Sequence, residues 1–261
     1  MNTAALIPFV YERFILFILV FTRISALFAT FVFFRRDIIN PRTLIALSSI
    51  LSIYVILFDN VKQVDLDVFS IPMVMQAFLQ FFIGFIAGLI LNIIFEMFTG
   101  VGQIISTQIG LSLASVLDPR LGSITNLTQF YTFSMTLIFL FLNGHLFIIK
   151  TIVDSFIALP VTHHFIPSTL ISDVVNYSGI IFSGAVMLSI TVIVAILITN
   201  CALAVMTRFA PQFNLFSIGI NMTLILGLIC IYMTFQLFID KGTIYLQEGL
   251  TFMQQTIVRS R

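Results

Sequence analysis

Few residues in the chain have the types and spacing that chemistry requires. Ser155, His145 and Asp118 are the side chains that a hydrolase triad would need, but no Gly-x-Ser-x-Gly turn surrounds the serine. The adjacent pair His163-His164 has no cysteine or acidic residue at metal-ligand spacing. The sequence also contains no phosphate loop, no HExxH and no CxxC. We therefore expect no enzyme, no catalytic residue, no metal site and no cofactor.

His145 lies deep in an apolar run of the sequence. An ionisable side chain at such a place could relay protons across a membrane. The alternative is a ring whose nitrogens are hydrogen-bonded to neighbouring helices, and we expect this second, structural role.

An uncharged polar stretch separates the third and fourth apolar runs. Residues 99–115 are rich in glycine, serine, threonine and glutamine, and no charged residue occurs between Glu96 and Asp118. Lipid does not tolerate so many hydroxyl and amide groups without partners, whereas water does not require the isoleucines and leucines among them. The composition suits a segment that lines a cavity or re-enters at membrane depth, or a small-residue contact between helices. Asp118-Pro119 ends the stretch, and an ordinary helix-ending turn is the alternative there.

A second polar site joins the last two long apolar runs. Gln212 and Asn214 present amides beside the rings of Phe209 and Phe213. Aromatic and amide groups together at the end of a helical hairpin favour a docking surface. The alternative is a plain cytoplasmic turn with Arg208 on the positive side of the membrane.

These segments must be held by long apolar helices. Of the 261 residues, 59% are hydrophobic and 9% are charged, whereas about 25% of residues are charged in an average soluble domain. The composition excludes a soluble enzyme, and the net charge of +1 supplies no basic field for nucleic acid. Most apolar runs match the length of one membrane crossing, but the run 44–58 is too short and the run 174–206 is too long. Such unequal lengths predict helices of mixed depth that pack on other protein.

Three blocks of the sequence follow one another in a recognisable order. They comprise Gly102-Gln103-Ile104, Gln108-Ile109-Gly110-Leu111-Ser112, Ala114 and Asp118-Pro119; then Phe139-Leu140, Asn143-Gly144-His145, Ser155-Phe156 and Leu159-Pro160; and last Arg208-Phe209-Ala210-Pro211-Gln212-Phe213-Asn214-Leu215-Phe216. Over nearly the whole chain, this succession resembles the FliR family of flagellar type III export-gate proteins, whose virulence counterpart is SctT. The placement of Gly219 and Gly227 is more similar to the flagellar branch.

The resemblance implies an all-α fold of membrane-associated helical hairpins. Residues 1–175 would form a FliP-like part, and residues 176–261 would form a FliQ-like hairpin with its tip at 207–216. The resemblance also implies a location in the bacterial inner membrane, within the flagellar basal body. Members of the family assemble into a closed helical pore that rises out of the bilayer plane toward the periplasmic side.

The implied function is that of a non-enzymatic subunit of the export gate. With FliP and FliQ homologues, the chain would form the pore for unfolded export substrates, and an FlhB homologue would approach from the cytoplasmic side. The segment 106–122 would be the plug that closes the pore. The expected plug and pore residues are Ser106, Thr107, Gln108, Gly110, Ser112, Ala114, Ser115, Asp118 and Pro119. The expected partner-binding residues are Arg208, Phe209, Pro211, Gln212, Phe213 and Asn214.

A function from another class is a self-contained secondary transporter for a small solute. Such proteins tend to contain internal repeats, broken helices and a charged site near the middle of the membrane. Only a broken helix can be argued from this sequence. Co-purification with two small membrane partners would distinguish the export-gate subunit from the transporter.

Overall fold

The computed structural model describes residues 3–34, 39–58, 70–111, 126–161, 168–209 and 215–258. Within these ranges the chain is helical and contains no β-strand, which confirms the expected all-α fold. The helices are α1 (Thr3–Thr30), α2 (Pro41–Phe58), α3 (Ile71–Gln108), α4 (Asn126–Phe141), α5 (Gly144–Ala158), α6 (Ser168–Ser178), α7 (Ile180–Phe209) and α8 (Leu215–Val258). A short 3-10 helix, Val32–Phe34, follows α1.

The helices differ greatly in length, as the apolar runs predict. Among the described residues, five helical spans are long and apolar enough to cross a membrane, and a sixth results if α4 and α5 count as one broken span. α2 has 18 residues, whereas α3 has 38 and α8 has 44. A helix of 38 residues is about 57 Å long at about 1.5 Å per residue, and the hydrocarbon core of a bilayer is about 30 Å thick. Lipid alone therefore cannot cover an upright helix of this length.

The chain forms two compact units, and α3 and α8 each contribute to both. Unit 1 contains Met1–Ile93, Asn143–Ser178 and Glu248–Arg261, and unit 2 contains Ile94–Leu142 and Gly179–Gln247. The expected division of the chain near Asn176 into a FliP-like and a FliQ-like part concerns likeness to other proteins, and it stays a prediction.

In unit 1, α1 and α3 run parallel and pack closely. Arg23 on α1 donates a hydrogen bond to Gln80 on α3 at 2.8 Å, and further along both helices Asn92 donates to the carbonyl oxygen of Thr30 at 2.7 Å. Between these two contacts, a β-carbon on Gly88 would lie 2.7 Å from the β-carbon of Thr30. Only a residue without a side chain permits the two backbones to approach this closely.

Unit 2 begins with the C-terminal part of α3, against which α4 packs in the antiparallel direction. The hydroxyl oxygens of Thr99 and Thr132 lie 3.3 Å apart. Four residues earlier on α3, the ring of Phe95 meets the ring of Phe139 edge to face at 5.6 Å. Because the residue numbers fall on α3 as they rise on α4, the two helices run in opposite directions.

α8 also runs antiparallel to α3 in unit 2. The rings of Phe98 and Phe238 meet edge to face with centroids 6.0 Å apart. At the C-terminal end of α3, the side chain of Ile109 fills the space that a β-carbon on Gly227 would occupy. Eleven residues on each helix separate these two contacts, so α3 and α8 stay in register along this length.

α7 is another helix of unit 2 and runs alongside α3 in the same direction. Met97 packs on Gly184 at the start of α7, and Ile196 further along α7 lies 3.8 Å from the position of a β-carbon on Gly227. α7 and α8 are therefore antiparallel to each other. Within unit 2 they form the α7–α8 hairpin, whose arms end at Phe209 and begin again at Leu215.

Candidate functional site

α3 ends in a glycine-dependent turn at the point where the expected plug segment begins. Gly110 has φ 84°. The amide of Leu111 donates to the carbonyl oxygen of Ser106 at 3.0 Å, and the amide of Gly110 donates to that of Thr107 at 3.2 Å. This pair of bonds around a left-handed glycine is the Schellman motif, which satisfies the last carbonyls of a helix and turns the chain away. Gly110 is thus a helix terminator, a more specific role than the sequence predicts.

The plug residues that the structure describes differ in their surroundings. The side chain of Ser106 is completely buried, and its hydroxyl has no hydrogen-bond partner among the described residues. Thr107 and Gln108 are exposed, and the hydroxyl of Thr107 donates to the carbonyl oxygen of Gln103 at 2.8 Å. The other expected plug residues lie outside the described residues: Ser112, Ala114, Ser115, Asp118 and Pro119.

The exposed residues of α3 in unit 2 form a polar face, which the composition of the sequence alone did not reveal. From residue 94 to the end of the helix, the exposed side chains are Glu96, Gln103, Thr107 and Gln108. Glu96, Gln103 and Thr107 are spaced seven and four residues apart, so all three project from one side of the helix. We call these three residues the polar face of α3. The signal in the sequence is this spacing, once the helix is known to continue to Gln108.

The exposed residues of α3 in unit 1 have the opposite character. They are Ile71, Pro72, Val74, Met75, Phe78 and Phe81, and none of them is polar. Phe78, for example, is 61% exposed. One helix thus exposes apolar groups before residue 93 and polar groups after it. Lipid or an apolar protein surface suits the first part, whereas the polar face of α3 requires water or polar protein groups.

A polar seam beside this face connects α3 to α4. The hydroxyl of Thr128 donates to Oε1 of Gln103 at 3.3 Å, and the contact of Thr99 with Thr132 lies one turn away. At the same level, a β-carbon on Gly102 would lie 2.5 Å from the α-carbon of Thr128. In the described part of residues 99–115, small residues therefore mediate helix packing while their neighbours form an exposed polar surface. The cavity-lining or re-entrant role stays a prediction.

The α7–α8 hairpin extends well beyond the end of α3. Gly227 lies against both Ile109 and Ile196, and α7 continues for thirteen residues after Ile196 before it ends at Phe209. At about 1.5 Å per residue, the arm projects about 20 Å past this level. No residue of α7 after Ile196 is buried.

Large apolar side chains cover this projecting end. On α7, Ile198 is 64% exposed, Val205 57% and Phe209 83%, and Ile225 on α8 is 54% exposed. Arg208 is exposed as well. The remaining residues of the expected tip lie outside the described residues: Pro211, Gln212, Phe213 and Asn214. An apolar surface of this kind marks a site of interaction with protein or membrane.

Comparison with known proteins identifies the family. Residues 14–248 match the profile of the family described as bacterial export proteins, family 1. The flagellar biosynthetic protein FliR of Buchnera aphidicola subsp. Baizongia pistaciae is 32% identical over 235 residues, which cover 88% of this chain and 91% of that protein. The chain belongs to the FliR/SctT family of bacterial export proteins.

Relatives occur in both flagellar and virulence systems. The flagellar biosynthetic protein FliR of Aquifex aeolicus is 31% identical, with 87% of each chain covered. The surface presentation of antigens protein SpaR of Shigella flexneri is 29% identical, with 90% of this chain and 88% of that protein covered. The chain is therefore a membrane protein of a type III export apparatus, and its family is one of export proteins and not of enzymes.

In this member of the FliR/SctT family, the described residues of the hypothetical hydrolase triad have other surroundings. The hydroxyl of Ser155 donates to the carbonyl oxygen of Ile152 at 2.5 Å and lies 3.0 Å from a guanidinium nitrogen of Arg23. His145 has a buried Nδ1 that finds no hydrogen-bond partner in the part of the chain that the structure describes, so the expectation that its ring nitrogens are hydrogen-bonded to neighbouring helices is wrong for Nδ1. Asp118 lies outside the described residues.

Metal-ligating groups do not gather in the part of the chain that the structure describes. No three or more histidine, cysteine, aspartate or glutamate side chains lie together there. His163 and His164 lie outside that part. Nothing among the described side chains therefore argues for a metal ion in this family member.

Arg23 is the most unusual side chain of unit 1, and the sequence reasoning missed it. Its guanidinium is completely buried and donates to Gln80 Oε1 at 2.8 Å and to the carbonyl oxygen of Leu159 at 2.8 Å. It also lies 4.1 Å from the centre of the Phe156 ring, where a cation–π contact is favourable. The available signal was a single arginine in the middle of the first apolar run.

Proposed function

We propose that this chain is the FliR-type subunit of a flagellar type III export gate. With FliP-type and FliQ-type subunits it forms the pore through which unfolded substrates leave the cytoplasm. Its family and its flagellar relatives support this assignment. The observation that carries the pore role is the polar face of α3, because a helix that is apolar elsewhere exposes hydrogen-bonding groups along one side there.

The plug role follows from where α3 ends. The Schellman turn at Gly110 ends α3 directly after the polar face, and this turn lies within the segment 106–122. Between Glu96 and Asp118 no residue is charged. Apolar and small polar groups pack into a dry barrier and part again without breaking ion pairs. We propose that this segment closes the pore at rest.

The partner surfaces follow from the uncovered helices. In the span Leu170–Phe209, 28% of the most apolar 18-residue stretch is buried, and in the span Asn221–Val258 the share is 22%. The corresponding share in α3 is 67%. Helical spans of 40 and 38 residues with so little burial require neighbours besides lipid. We propose that FliP-type and FliQ-type subunits cover them, and that the division near residue 176 reflects the likeness to these two partners. The projecting end of the α7–α8 hairpin faces the cytoplasm and docks an FlhB-type protein.

The location and energetics complete the proposal. The assembly lies in the bacterial inner membrane at the flagellar basal body and extends toward the periplasmic side. The chain contributes a passage and a barrier, while the energy for transport comes from other components. The sequence contains no nucleotide-binding motif, and the relatives give no support to a self-contained solute transporter.

Co-purification tests this function directly. An affinity-tagged chain, expressed from its own operon, is extracted in mild detergent, and the isolated complex is weighed by native mass spectrometry. We expect a stable complex with FliP-type and FliQ-type subunits, with one copy of this chain. A monodisperse monomer that transports a solute after reconstitution would contradict the proposal and favour the transporter.

A further inference from the structure

Glu96 is the charged member of the polar face of α3, and none of the described residues neutralises its charge. The side chain is exposed, and no hydrogen bond or ion pair connects it to any described residue. Resting on the proposed function, we propose that the polar face of α3 lines the water-filled conduit of the gate and that Glu96 makes this conduit selective for cations.

The surroundings of Glu96 exclude lipid. An acidic side chain near the middle of a membrane helix costs about 2.5–3.5 kcal/mol on insertion scales, and the exposed side chains of Gln103 and Thr107 add further polar groups to the same face. The same helix shows what a lipid-compatible surface looks like, because Phe78 and Phe81 are exposed in its first part. Water suits this surface, because it can solvate the carboxylate of Glu96 and the exposed polar atoms of Gln103 and Thr107.

Glu96 lies far from the plug along the helix, so its charge acts separately from the barrier. Fourteen residues separate Glu96 from Gly110, which corresponds to about 21 Å along the helix. The Debye length at physiological salt is about 8 Å. The field of Glu96 therefore acts on ions in its own stretch of conduit, whereas the plug segment contains no charged residue before Asp118. A fixed negative charge on the wall concentrates cations and repels anions.

Reversal potentials measure this selectivity in the assembled complex. The complex is opened by deletion of residues 112–115, reconstituted in planar bilayers and placed under a potassium chloride gradient. We expect Glu96→Gln to lower the permeability ratio of potassium to chloride by at least about twofold, the effect of one unit charge within about 8 Å in a largely aqueous medium. Glu96→Asp is the matched control, because it retains the charge and keeps the ratio close to that of the parent.

Thiol labelling measures the same property without a current. Cys201 and Cys230 are first replaced by serine, and a single cysteine is introduced by Gln103→Cys in the opened complex. We expect a cationic methanethiosulfonate to react faster than an anionic one, and Glu96→Gln to reduce this ratio of rates. A cysteine introduced by Phe78→Cys is the control and should react with neither membrane-impermeant reagent.

The outcomes distinguish failure of the proposed pore from failure of the proposed role of Glu96. Absence of current from every opened complex would refute the pore, and the selectivity with it. A conducting complex whose permeability ratio and labelling ratio do not change in Glu96→Gln would overturn the role of Glu96 alone. Dissociation of the complex in Glu96→Gln, with no labelling at position 103, would show that a basic side chain of a neighbouring subunit pairs with Glu96, which also overturns the inference.

Discussion

One nitrogen of the Arg23 guanidinium, Nη1, lies 3.1 Å from the carbonyl oxygen of Ser155 and 3.0 Å from its hydroxyl oxygen. The other terminal nitrogen donates to Leu159, the residue that follows α5. The last carbonyls of a helix lack partners within the helix, and a cation at this end is stabilised by the helix dipole. Arg23 on α1 thus caps α5 from a position 132 residues away.

This cap predicts a large loss of stability when Arg23 is replaced. Arg23→Met removes the donor to Gln80 Oε1 and to the carbonyl oxygen of Leu159, and each such buried acceptor costs about 1–3 kcal/mol. The carbonyl oxygen of Ser155 keeps the amide of Leu159 as a donor. The removal of the buried charge offsets part of this cost. We expect a net loss of about 2–4 kcal/mol, seen as a lower thermal midpoint of the purified complex in detergent.

Two further variants test whether the lost hydrogen bonds of Arg23 cause the loss of stability. Arg23→Lys retains the charge but lacks the planar fork that reaches three acceptors, so it should recover little of the stability. Arg42→Met on the exposed start of α2 is the control for loss of an arginine and should change stability by less than about 0.5 kcal/mol. Equal midpoints for Arg23→Met and the parent protein would show that the cap is dispensable.

The contrast between Arg23 and α3 shows how far the sequence predicts the molecule. Helix type and unequal helix length follow from local composition, because an apolar run acts on its own neighbours. The cap on α5 does not follow, because Arg23 and Ser155 share no local pattern and meet only in the folded chain. The polar face of α3 is intermediate: its residues are regularly spaced, but only burial shows that Ser106 points inward while Thr107 points outward.

Gly110 predicts a residue-specific effect at the start of the plug. At φ 84°, Gly110→Ala places a β-carbon in the left-handed region, which costs about 1–2 kcal/mol. Gly110→Asn should cost less, because asparagine tolerates this conformation better. We expect Gly110→Ala to increase ion leakage of the resting complex in bilayers, with Gly110→Asn close to the parent protein. The same leakage for both variants as for the parent would indicate that the turn does not position the barrier.

The tip of the α7–α8 hairpin predicts a defect in export without a defect in assembly. Gln212→Asp together with Asn214→Asp adds two charges beside exposed aromatic residues such as Phe209, so an FlhB-type partner should bind less well. We expect less substrate in the culture medium, with unchanged co-purification of FliP-type and FliQ-type subunits. Photo-crosslinking from position 209 should capture the FlhB-type protein in the parent complex.

The matched control for the tip lies near the C-terminal end of α8. Gln255 is an exposed glutamine near the end of α8, and Gln255→Asp should leave export unchanged. If crosslinking from position 209 captures lipid alone, the docking role is refuted and the segment is a plain cytoplasmic turn.

The plug predicts that a shortened segment leaks at rest. Deletion of residues 112–115 leaves the Schellman turn at Gly110 intact but removes part of the uncharged stretch, so the remaining residues should no longer fill the passage. We expect a clear increase in resting conductance across bilayers that contain the complete complex. Replacement of the same four residues by Gly-Ser-Gly-Ser keeps the length of the segment, so it distinguishes the loss of side-chain packing from the shortening of the chain. Ala114→Asp should also leak, because a charge hydrates a dry barrier. If all three complexes stay as tight as the parent, the segment only packs between helices and another subunit closes the pore.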